Sequence, residues 1–346
     1  MEQDVLIKST GSYTPDQILA NAWFVEHFRT EHPDTSDRWI RSHTGISERR
    51  KAAQGETTSQ MGYLAAKRCL EKVSVDPSEL GLVICATVTG DTNFPPTAKW
   101  IQKKLGNCTC WSFDVKSGCT SFLDALAPAY AWLKTGKTRY ALVIAAEMLT
   151  SVTNYKDRST SPLFGDAAGA VLLEAVSSTK NPHSYGIKDF YFGSDPDKAG
   201  LLIQPAGGSK EPITLDNIDT GRQYLHMKGT VVYQAAIEAM VLSATTIAHQ
   251  AGLQVKDFNR WVFHQANMRI SRAAMQRLKI PSGKIFNNIR YFGNTSGATI
   301  PLCLDQMVAK RLLRPGQRVG LVSFGTGFAW GAAHIVWGNY NSPLEP

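Results

Sequence analysis

Cys119 is the residue whose type and position most favour catalysis. It follows the strand-like run at 111–115 and begins a helical pattern predicted for 119–133, which is apolar on nearly every side. A helix start leaves backbone N–H groups unpaired and carries a partial positive charge, and both favour the thiolate, the nucleophilic form of cysteine. Gly118 allows a sharp turn just before the sulfur. The pattern indicates either a reactive thiolate at the foot of a pocket or a cysteine that only fills the core.

Three runs in the second half of the chain carry polar groups that a thiolate site needs. His264 ends the apolar run at 261–263, Asn294 lies in a Gly-Asn-Thr-Ser loop, and Thr326 lies in the glycine-rich turn at 325–331. Each run alone fits an ordinary strand end or turn. Together with Cys119 they indicate a nucleophile, side chains that can hydrogen-bond a developing charge, and backbone N–H groups exposed as an oxyanion site requires.

The composition indicates a folded chain with a large core. Of its 346 residues, 43% are hydrophobic and 19% are charged, which argues against disorder. The six cysteines lack metal-ligand spacing, and no apolar segment has the length of a signal peptide or a membrane span. We therefore expect no metal, no membrane association and a reducing, cytoplasmic location.

The net charge of +8 bears on the class of partner. It suits an acidic or phosphate-bearing partner, and a nucleic-acid-binding module is the alternative that charge alone suggests. The chain has neither zinc-finger spacing nor an alternation of basic and aromatic residues. We therefore expect no nucleic-acid partner.

Short β-branched runs alternate with longer helical patterns, which predicts an α/β fold. The predicted strands lie at 82–88, 111–115, 140–145, 170–173, 187–192, 260–263, 318–323 and 332–337. The predicted helices lie at 60–72, 119–133, 232–251 and 270–278. Because the two halves share a rhythm of strand, buried helix and paired strands, we expect a division into residues 1–175 and 176–346. The irregular stretch at 194–221 is predicted to be an exposed excursion.

Several motifs in one order resemble those of the β-ketoacyl-acyl-carrier-protein synthase III family, condensing enzymes of the thiolase superfamily. The resemblance covers essentially the whole chain, and its motifs are Arg38-Trp39-Ile40, Thr44-Gly45-Ile46, the Cys119 segment, the Leu-Phe-Gly-Asp-Ala-Ala-Gly-Ala run at 163–170, His264-Gln265-Ala266-Asn267, Gly293-Asn294-Thr295-Ser296 and the turn at 325–331. It implies a thiolase-like fold in five layers, α-β-α-β-α, with a mixed sheet around buried helices in each half. It also implies a homodimer.

The resemblance further implies a mechanism. Cys119 takes an acyl group from an acyl-CoA, and malonyl on an acyl carrier protein then enters. A neutral His264 and Asn294 donate hydrogen bonds to the malonyl thioester oxygen, which stabilises the enolate formed as carbon dioxide leaves. The carbanion attacks the acyl group and yields a 3-oxoacyl product. The backbone N–H groups of Cys119 and Thr326 hold the tetrahedral oxyanion.

Roles around the site are also implied by the resemblance. CoA is a substrate and no cofactor is permanently bound. By this resemblance, Trp39 contacts the CoA adenine, Arg158 lies on the other side of that adenine, and Asn267 contacts CoA. Arg269 and Arg272 contact the carrier protein, and Phe94 reaches the acyl pocket of the partner subunit. The helical pattern places Arg269, Arg272 and Gln276 on one face, for which a solvated basic face is the alternative.

Four departures from the family pattern leave the pathway open. His43 stands where the family usually has arginine, Gln234 where it has a basic residue, Thr120-Ser121 is bulkier than usual, and Thr326 replaces a glycine. These fit a specialised relative of secondary metabolism that passes the acyl group to another nucleophile. A non-catalytic subunit of a dimer is a further alternative, and the intact set of Cys119, His264 and Asn294 argues against it.

Overall fold

The computed structural model describes residues 2–106, 108–181 and 183–338. In these ranges the strands are β1 (Gln3–Tyr13), β2 (Gln17–Ala20), β3 (Glu48–Lys51), β4 (Leu80–Ala86), β5 (Trp111–Val115), β6 (Tyr140–Met148), β7 (Asp166–Ser177), β8 (Gly186–Ser194), β9 (Leu202–Ile203), β10 (His226–Met227), β11 (Arg260–Phe263), β12 (Arg318–Gly325) and β13 (Ala329–Val336). The α-helices are α1 (Asn21–His27), α2 (Asp37–Thr44), α3 (Thr58–Glu71), α4 (Thr97–Leu105), α5 (Ser121–Lys134), α6 (Gly229–Gln250), α7 (Met268–Leu278), α8 (Ile289–Phe292) and α9 (Thr299–Ala309).

Two mixed sheets form the frame. The first has the order β1-β7-β6-β4-β5, in which β4 pairs in parallel with β5 and β6 while β7 is antiparallel to β6 and β1. The second has the order β11-β12-β13-β8, with one parallel pair, β11 and β12. Parallel pairs need crossover connections, and helices supply them. The prediction of a mixed sheet in each half is therefore confirmed.

The sheets and helices stack in five layers. Along β4, Leu82 and Ile84 face a central cluster that includes α5 and α9, whereas Val83 and Cys85 face a cluster with α3. The central cluster also contains side chains from the second sheet, whose other face is covered by α6 and α7. Both faces of both sheets are thus covered, which explains strands that are apolar throughout rather than alternating. This confirms the predicted thiolase-like α-β-α-β-α arrangement.

Several elements escaped prediction. β1 is the long edge strand of the first sheet, yet its glycine, serine and lysine residues mask its pattern. α9 is a central helix, and Pro301 in its first turn is tolerated because no intrahelical N–H bond is required there. α9 packs on β1 and β7 as well as on β11, so it joins the two sheets. The division at residues 175 and 176 stays a prediction.

α6 departs from the expectation that no segment reaches membrane-spanning length. It has 22 residues, and its length and apolar composition would suffice to cross a membrane. Its apolar side chains, however, pack against the outer face of the second sheet. A core helix passes the same length and composition criteria.

The layered packing makes a stability prediction. Leu126 of α5 is fully buried between the sheets, whereas Leu215 is 91% exposed. Leu126→Ala should lower the free energy of unfolding by about 2–5 kcal/mol through lost burial and a residual cavity, and Leu215→Ala should change it by less than about 0.5 kcal/mol. Urea titrations of the three proteins measure both effects. Equal costs for the two substitutions would contradict a central helical layer.

Candidate active site

Cys119 lies in a 3-10 turn, Gly118–Thr120, between β5 and α5. Gly118 has a φ of +61°, and a Cβ there would collide with the Thr326 hydroxyl. A Cβ on Gly325 would come within 2.8 Å of the Cys119 backbone nitrogen. The two glycines thus allow the turn that carries Cys119 to contact the end of β12. The Ser323 hydroxyl stabilises this contact by donating to the Cys119 carbonyl at 2.7 Å.

One cavity of about 380 Å³ brings the three predicted reactive side chains together. Cys119, His264 and Asn294 line its buried end, where their exposures are 8%, 1% and 7%. Trp39, Arg158, Asn267 and Arg269 line its solvent end and are half-buried or exposed. The cavity therefore joins a nucleophile and two hydrogen-bonding groups at one end to aromatic and cationic groups at the other.

His264 directly follows β11 and is held by its neighbours. Its Nδ1 lies 2.7 Å from the Thr299 hydroxyl, which in turn lies 3.0 Å from the Ser296 carbonyl. Its Nε2 is buried without a hydrogen-bond partner among the described residues. Burial lowers the pKa of the imidazole to about 3, so the expectation of a neutral ring is confirmed.

The Thr299 hydroxyl has one proton, which it can donate either to the Ser296 carbonyl at 3.0 Å or to His264 Nδ1 at 2.7 Å. If this hydroxyl donates to Nδ1, the ring proton resides on Nε2, which then serves as a donor to a ligand. In that arrangement the Ser296 carbonyl keeps a hydrogen bond, because it also accepts the Thr299 backbone N–H. Thr299 can therefore supply the donor form of His264 that an enolate oxygen needs.

Asn294 is oriented by its own loop. Its side-chain oxygen accepts the Ser296 N–H at 2.8 Å, which leaves the amide NH₂ group for a ligand. Its backbone N–H donates to the Leu163 carbonyl at 2.8 Å, and its carbonyl accepts the Gly165 N–H at 3.1 Å. The loop from 293 is thereby fixed to the segment that precedes β7.

The expectation of an ionised Cys119 sulfur is wrong for the resting protein. Burial raises the pKa of its thiol to about 12, the Glu147 charge adds to the rise, and a hydrogen bond with Ser296 opposes it. The sulfur precedes α5 instead of lying in its first turn. The loss of hydration therefore outweighs the partial charge of the helix end.

Glu147 and Ser296 are functional candidates that the sequence analysis missed. Glu147, near the end of β6, is fully buried and accepts hydrogen bonds from the Thr89 hydroxyl at 2.5 Å, the Val88 N–H at 3.1 Å, the Thr87 hydroxyl at 3.2 Å and the Ser296 hydroxyl at 3.1 Å. Burial raises its pKa to about 7. The available signal was a glutamate inside an apolar run, but the predicted strand ended at 145.

Comparisons with known proteins agree along nearly the whole chain. Residues 113–196 match the family described as 3-oxoacyl-[acyl-carrier-protein (ACP)] synthase III, and residues 248–337 match the C-terminal part of that family. The chain is 39% identical over 332 residues to the beta-ketoacyl-[acyl-carrier-protein] synthase III of Caldanaerobacter subterraneus subsp. tengcongensis, an alignment that covers 96% of this chain and 97% of that protein. The chain belongs to the β-ketoacyl-acyl-carrier-protein synthase III family.

Solved structures agree with this membership. The 3-oxoacyl-[acyl-carrier-protein] synthase III from Aquifex aeolicus VF5 has a TM-score of 0.86 and 33% identity, with 96% of this chain and 100% of that chain covered. The priming β-ketosynthase from the R1128 polyketide biosynthetic pathway has a TM-score of 0.87 and 30% identity, with 98% and 97% covered. The fold is thus shared by synthase III proteins and by a polyketide priming enzyme.

At the solvent end, the synthase III site differs from the arrangement that the resemblance implied. The Arg158 guanidinium lies directly over the Trp39 ring, 4.0 Å from its centroid, and Asp34 holds it through two hydrogen bonds of 2.8 Å. The His43 ring also stacks on Trp39, at 4.5 Å between centroids. Trp39 and Arg158 therefore contact each other and leave no gap for an adenine ring between them.

The remaining predicted residues take several positions. Asn267 caps α7 by accepting the Arg269 N–H at 2.8 Å and donates to the His43 carbonyl at 3.0 Å. On α7, Arg269 and Arg272 are exposed while Ile270 and Ala274 are buried, as the helical pattern predicted. Three predicted groups do not line the cavity: Arg272, Phe94, which is 85% exposed, and the Thr326 side chain, which covers Gly118.

Acid should destabilise the protein through His264. The imidazole has a pKa of about 3 when folded and about 6.5 when unfolded, so between these values the unfolded chain binds more protons and stability falls as pH falls. Between pH 7 and pH 5 this ring should account for a loss of about 2 kcal/mol. Urea titrations of the wild type and His264→Gln at both pH values measure the free energy of unfolding, and the difference between the two proteins gives the contribution of the imidazole. Equal pH dependence in the two proteins would contradict a buried neutral imidazole.

Proposed function

We propose that this synthase III relative catalyses the decarboxylative Claisen condensation of an acyl-CoA primer with malonyl-acyl carrier protein. The observation that carries the proposal is the single cavity that Cys119, His264 and Asn294 share at its buried end. A buried nucleophile beside two oriented hydrogen-bonding groups suits a reaction that forms an acyl-enzyme and then an enolate. The product is a 3-oxoacyl thioester on the carrier protein.

In the first half-reaction, the Cys119 sulfur attacks the acyl-CoA carbonyl and coenzyme A leaves. The oxyanion of the tetrahedral intermediate is held by the backbone N–H groups of Cys119 and Thr326. The close contact of their two turns, which Gly118 and Gly325 permit, supports this assignment. Donors fixed in advance cost no reorganisation when the charge develops.

In the second half-reaction, the malonyl thioester oxygen accepts hydrogen bonds from His264 Nε2 and the Asn294 amide. Carbon dioxide leaves, the resulting carbanion attacks the acyl carbonyl on Cys119, and the C–S bond of the acyl-enzyme breaks. A neutral imidazole suits this step, because a donor must stabilise a charge that forms only as the reaction proceeds. The unpartnered Nε2 at the buried end of the cavity supports the role of His264.

Substrates and partners follow from the outer residues. We propose that CoA binds at Trp39, Arg158 and Asn267, that Arg269 and Arg272 contact the acidic carrier protein, and that no cofactor is held permanently. The 85% exposure of Phe94 and the 53% exposure of Trp111 on the edge strand β5 support a homodimer in which these side chains are covered. Phe94 then reaches the acyl pocket of the partner subunit. The working location is the cytoplasm.

A specialised condensing enzyme or acyltransferase of secondary metabolism is the second candidate. It is favoured by the likeness to the R1128 priming β-ketosynthase and by the His43 ring that stacks on Trp39 where the family usually has arginine. The two candidates share the acyl-Cys119 intermediate and differ in the group that receives the acyl chain.

Cys119 should gain the mass of an acyl group when the protein is incubated with acyl-CoA alone. A panel of donors of different chain length and branching, scored by intact mass, identifies the primer, and Cys119→Ala is the control that should gain nothing. Malonyl-acyl carrier protein should then convert the adduct into a product two carbons longer with release of carbon dioxide. An ester or amide product would favour the second candidate, and no adduct with any donor would contradict both.

Thr299→Val should impair decarboxylation more than acylation. Without the hydroxyl, nothing holds the ring proton of His264 on Nε2, so we expect carbon dioxide release to fall at least about tenfold, towards the roughly 10²–10³-fold loss typical of removing such a donor outright. Thr299→Ser keeps the hydroxyl and should restore most of the rate. The measurements are carbon dioxide release from the malonyl thioester and the rate of adduct formation on Cys119. Equal losses in the valine and serine variants would show that Thr299 only fills space.

A further inference from the structure

The site requires a group that takes the proton from Cys119, because burial keeps this thiol protonated. His264 is poorly suited to the task. Moving the proton from the sulfur to the imidazole would create two charges where there were none, in a cavity whose burial already lowers the pKa of the ring to about 3.

Glu147 meets the requirement without creating charge. It is fully buried behind the cavity, and burial favours its protonated form. If it takes the proton, one negative charge moves from the carboxylate to the sulfur, and the total number of charges in the interior is unchanged. The same burial that makes His264 a poor proton acceptor therefore makes Glu147 a good one.

Ser296 connects the two groups. Its hydroxyl donates to Glu147 Oε1 at 3.1 Å, and Ser296 also acts on the Cys119 thiol, whose pKa it lowers. The Ser296–Ala298 turn packs against the Gly118–Thr120 turn that carries Cys119, since a Cβ on Gly297 would lie 3.4 Å from the Gly118 carbonyl oxygen.

The Ser296 backbone is fixed in the left-handed region at a φ of +50°, with the N–H donating to the Asn294 side-chain oxygen and the carbonyl accepting the Thr299 backbone N–H. A non-glycine residue seldom adopts this conformation unless its surroundings impose it. The hydroxyl is therefore held between the thiol and the carboxylate.

We propose that Glu147 accepts the Cys119 proton through the Ser296 hydroxyl, an inference that rests on the proposed acylation of Cys119. The thiol proton passes to Ser296 Oγ while the serine proton passes to Glu147 Oε1. The sulfur electron pair forms the C–S bond to the acyl carbonyl, the thioester bond to coenzyme A breaks, and the departing thiolate takes a proton from water. After condensation, the released Cys119 thiolate recovers its proton from Glu147 along the same route.

The relay has a consequence for the second half-reaction. While Cys119 carries the acyl group, Glu147 remains protonated and neutral. The malonyl carboxylate and the enolate therefore enter an interior without a fixed negative charge behind the nucleophile, which avoids repulsion that would be strong in a medium of low dielectric constant.

Few other groups can titrate beside Glu147. Its four hydrogen-bonding neighbours are hydroxyls and a backbone N–H, and none of the described basic side chains forms an ion pair with it. The thiols that its charge affects are Cys119 and Cys85 on β4, and Asp91 and Asp114 also act on Cys85. Alkylation scored specifically at Cys119 thus reports on the relay.

The test is the pH dependence of Cys119 alkylation by iodoacetamide in the full-length protein, read from the mass of the Cys119 peptide. The relay predicts a rate that rises as Glu147 loses its proton near pH 7 and then levels off. Glu147→Gln and Ser296→Ala should each lower the plateau on the order of 10²-fold and abolish this inflection. The double variant should be no slower than either single variant, because the two residues act as one unit.

Thr87→Val is the matched control. It removes another hydrogen bond to the same carboxylate, at 3.2 Å, but leaves the link to the sulfur intact. Its inflection should persist at a slightly higher pH, with a plateau within about threefold of the wild type. Full alkylation and an unchanged inflection in Glu147→Gln, or in Ser296→Ala if the glutamine variant does not fold, would overturn the relay. Failure of acyl-CoA to acylate Cys119 despite this alkylation profile would instead overturn the proposed function and leave the relay intact.

Discussion

Burial of the reactive groups around the central cavity is the constraint on which the site depends. One physical cause acts on three groups: burial raises the pKa of Cys119 to about 12 and that of Glu147 to about 7, and it lowers the pKa of His264 to about 3. Each tenfold change in a protonation equilibrium corresponds to about 1.4 kcal/mol of preference for one protonation state over the other. The resting site therefore disfavours separated charges, and its chemistry is easiest when a charge moves between groups rather than being created.

The fold maintains that burial by covering both faces of both sheets. The reactive side chains of Cys119, His264 and Asn294 come from three segments far apart in the chain, and a fourth segment, the turn at Gly325, interlocks with the turn at Gly118 that precedes Cys119. The third segment contributes Asn294 and Ser296. The hydrogen bond from the Ser296 N–H to the Asn294 side-chain oxygen orients the Asn294 amide and fixes the serine whose hydroxyl binds Glu147. A side chain on either glycine would separate the turns, so the glycines serve close approach rather than flexibility.

The amino-acid sequence predicted the features that depend on local residue patterns or on the family motifs. Periodicity predicted the apolar strands, the helix after Cys119 and the exposed face of α7. The family motifs predicted the convergence of Cys119, His264 and Asn294.

The protonation state of the Cys119 sulfur could not be predicted in this way, because the helix-end effect is local whereas burial depends on the second sheet packing over the first. β1 and α9 were missed for a similar reason: glycine, serine and an early proline mask their patterns, and tertiary packing decides their structure. Glu147 was missed because its position at a strand end indicates no role by itself. Its candidate role depends on the hydrogen bond from Ser296, which lies 149 residues away in the chain.

At the solvent end of the cavity the interactions are weakened by exposure to water, whereas at the buried end burial controls the protonation of each group. Arg158 stacks on Trp39 and pairs with Asp34, whose side chain is largely exposed to water, so solvent and salt weaken that ion pair. An adenine that displaced Arg158 would replace one stacking contact on the indole by another, while the guanidinium would remain available to the phosphates that follow the adenine. In the proposed CoA site, the nucleotide end of a donor would therefore gain little net stabilisation from entering this stack. Selection among donors would then arise mainly from the acyl chain, for which each buried methylene contributes about 0.8 kcal/mol.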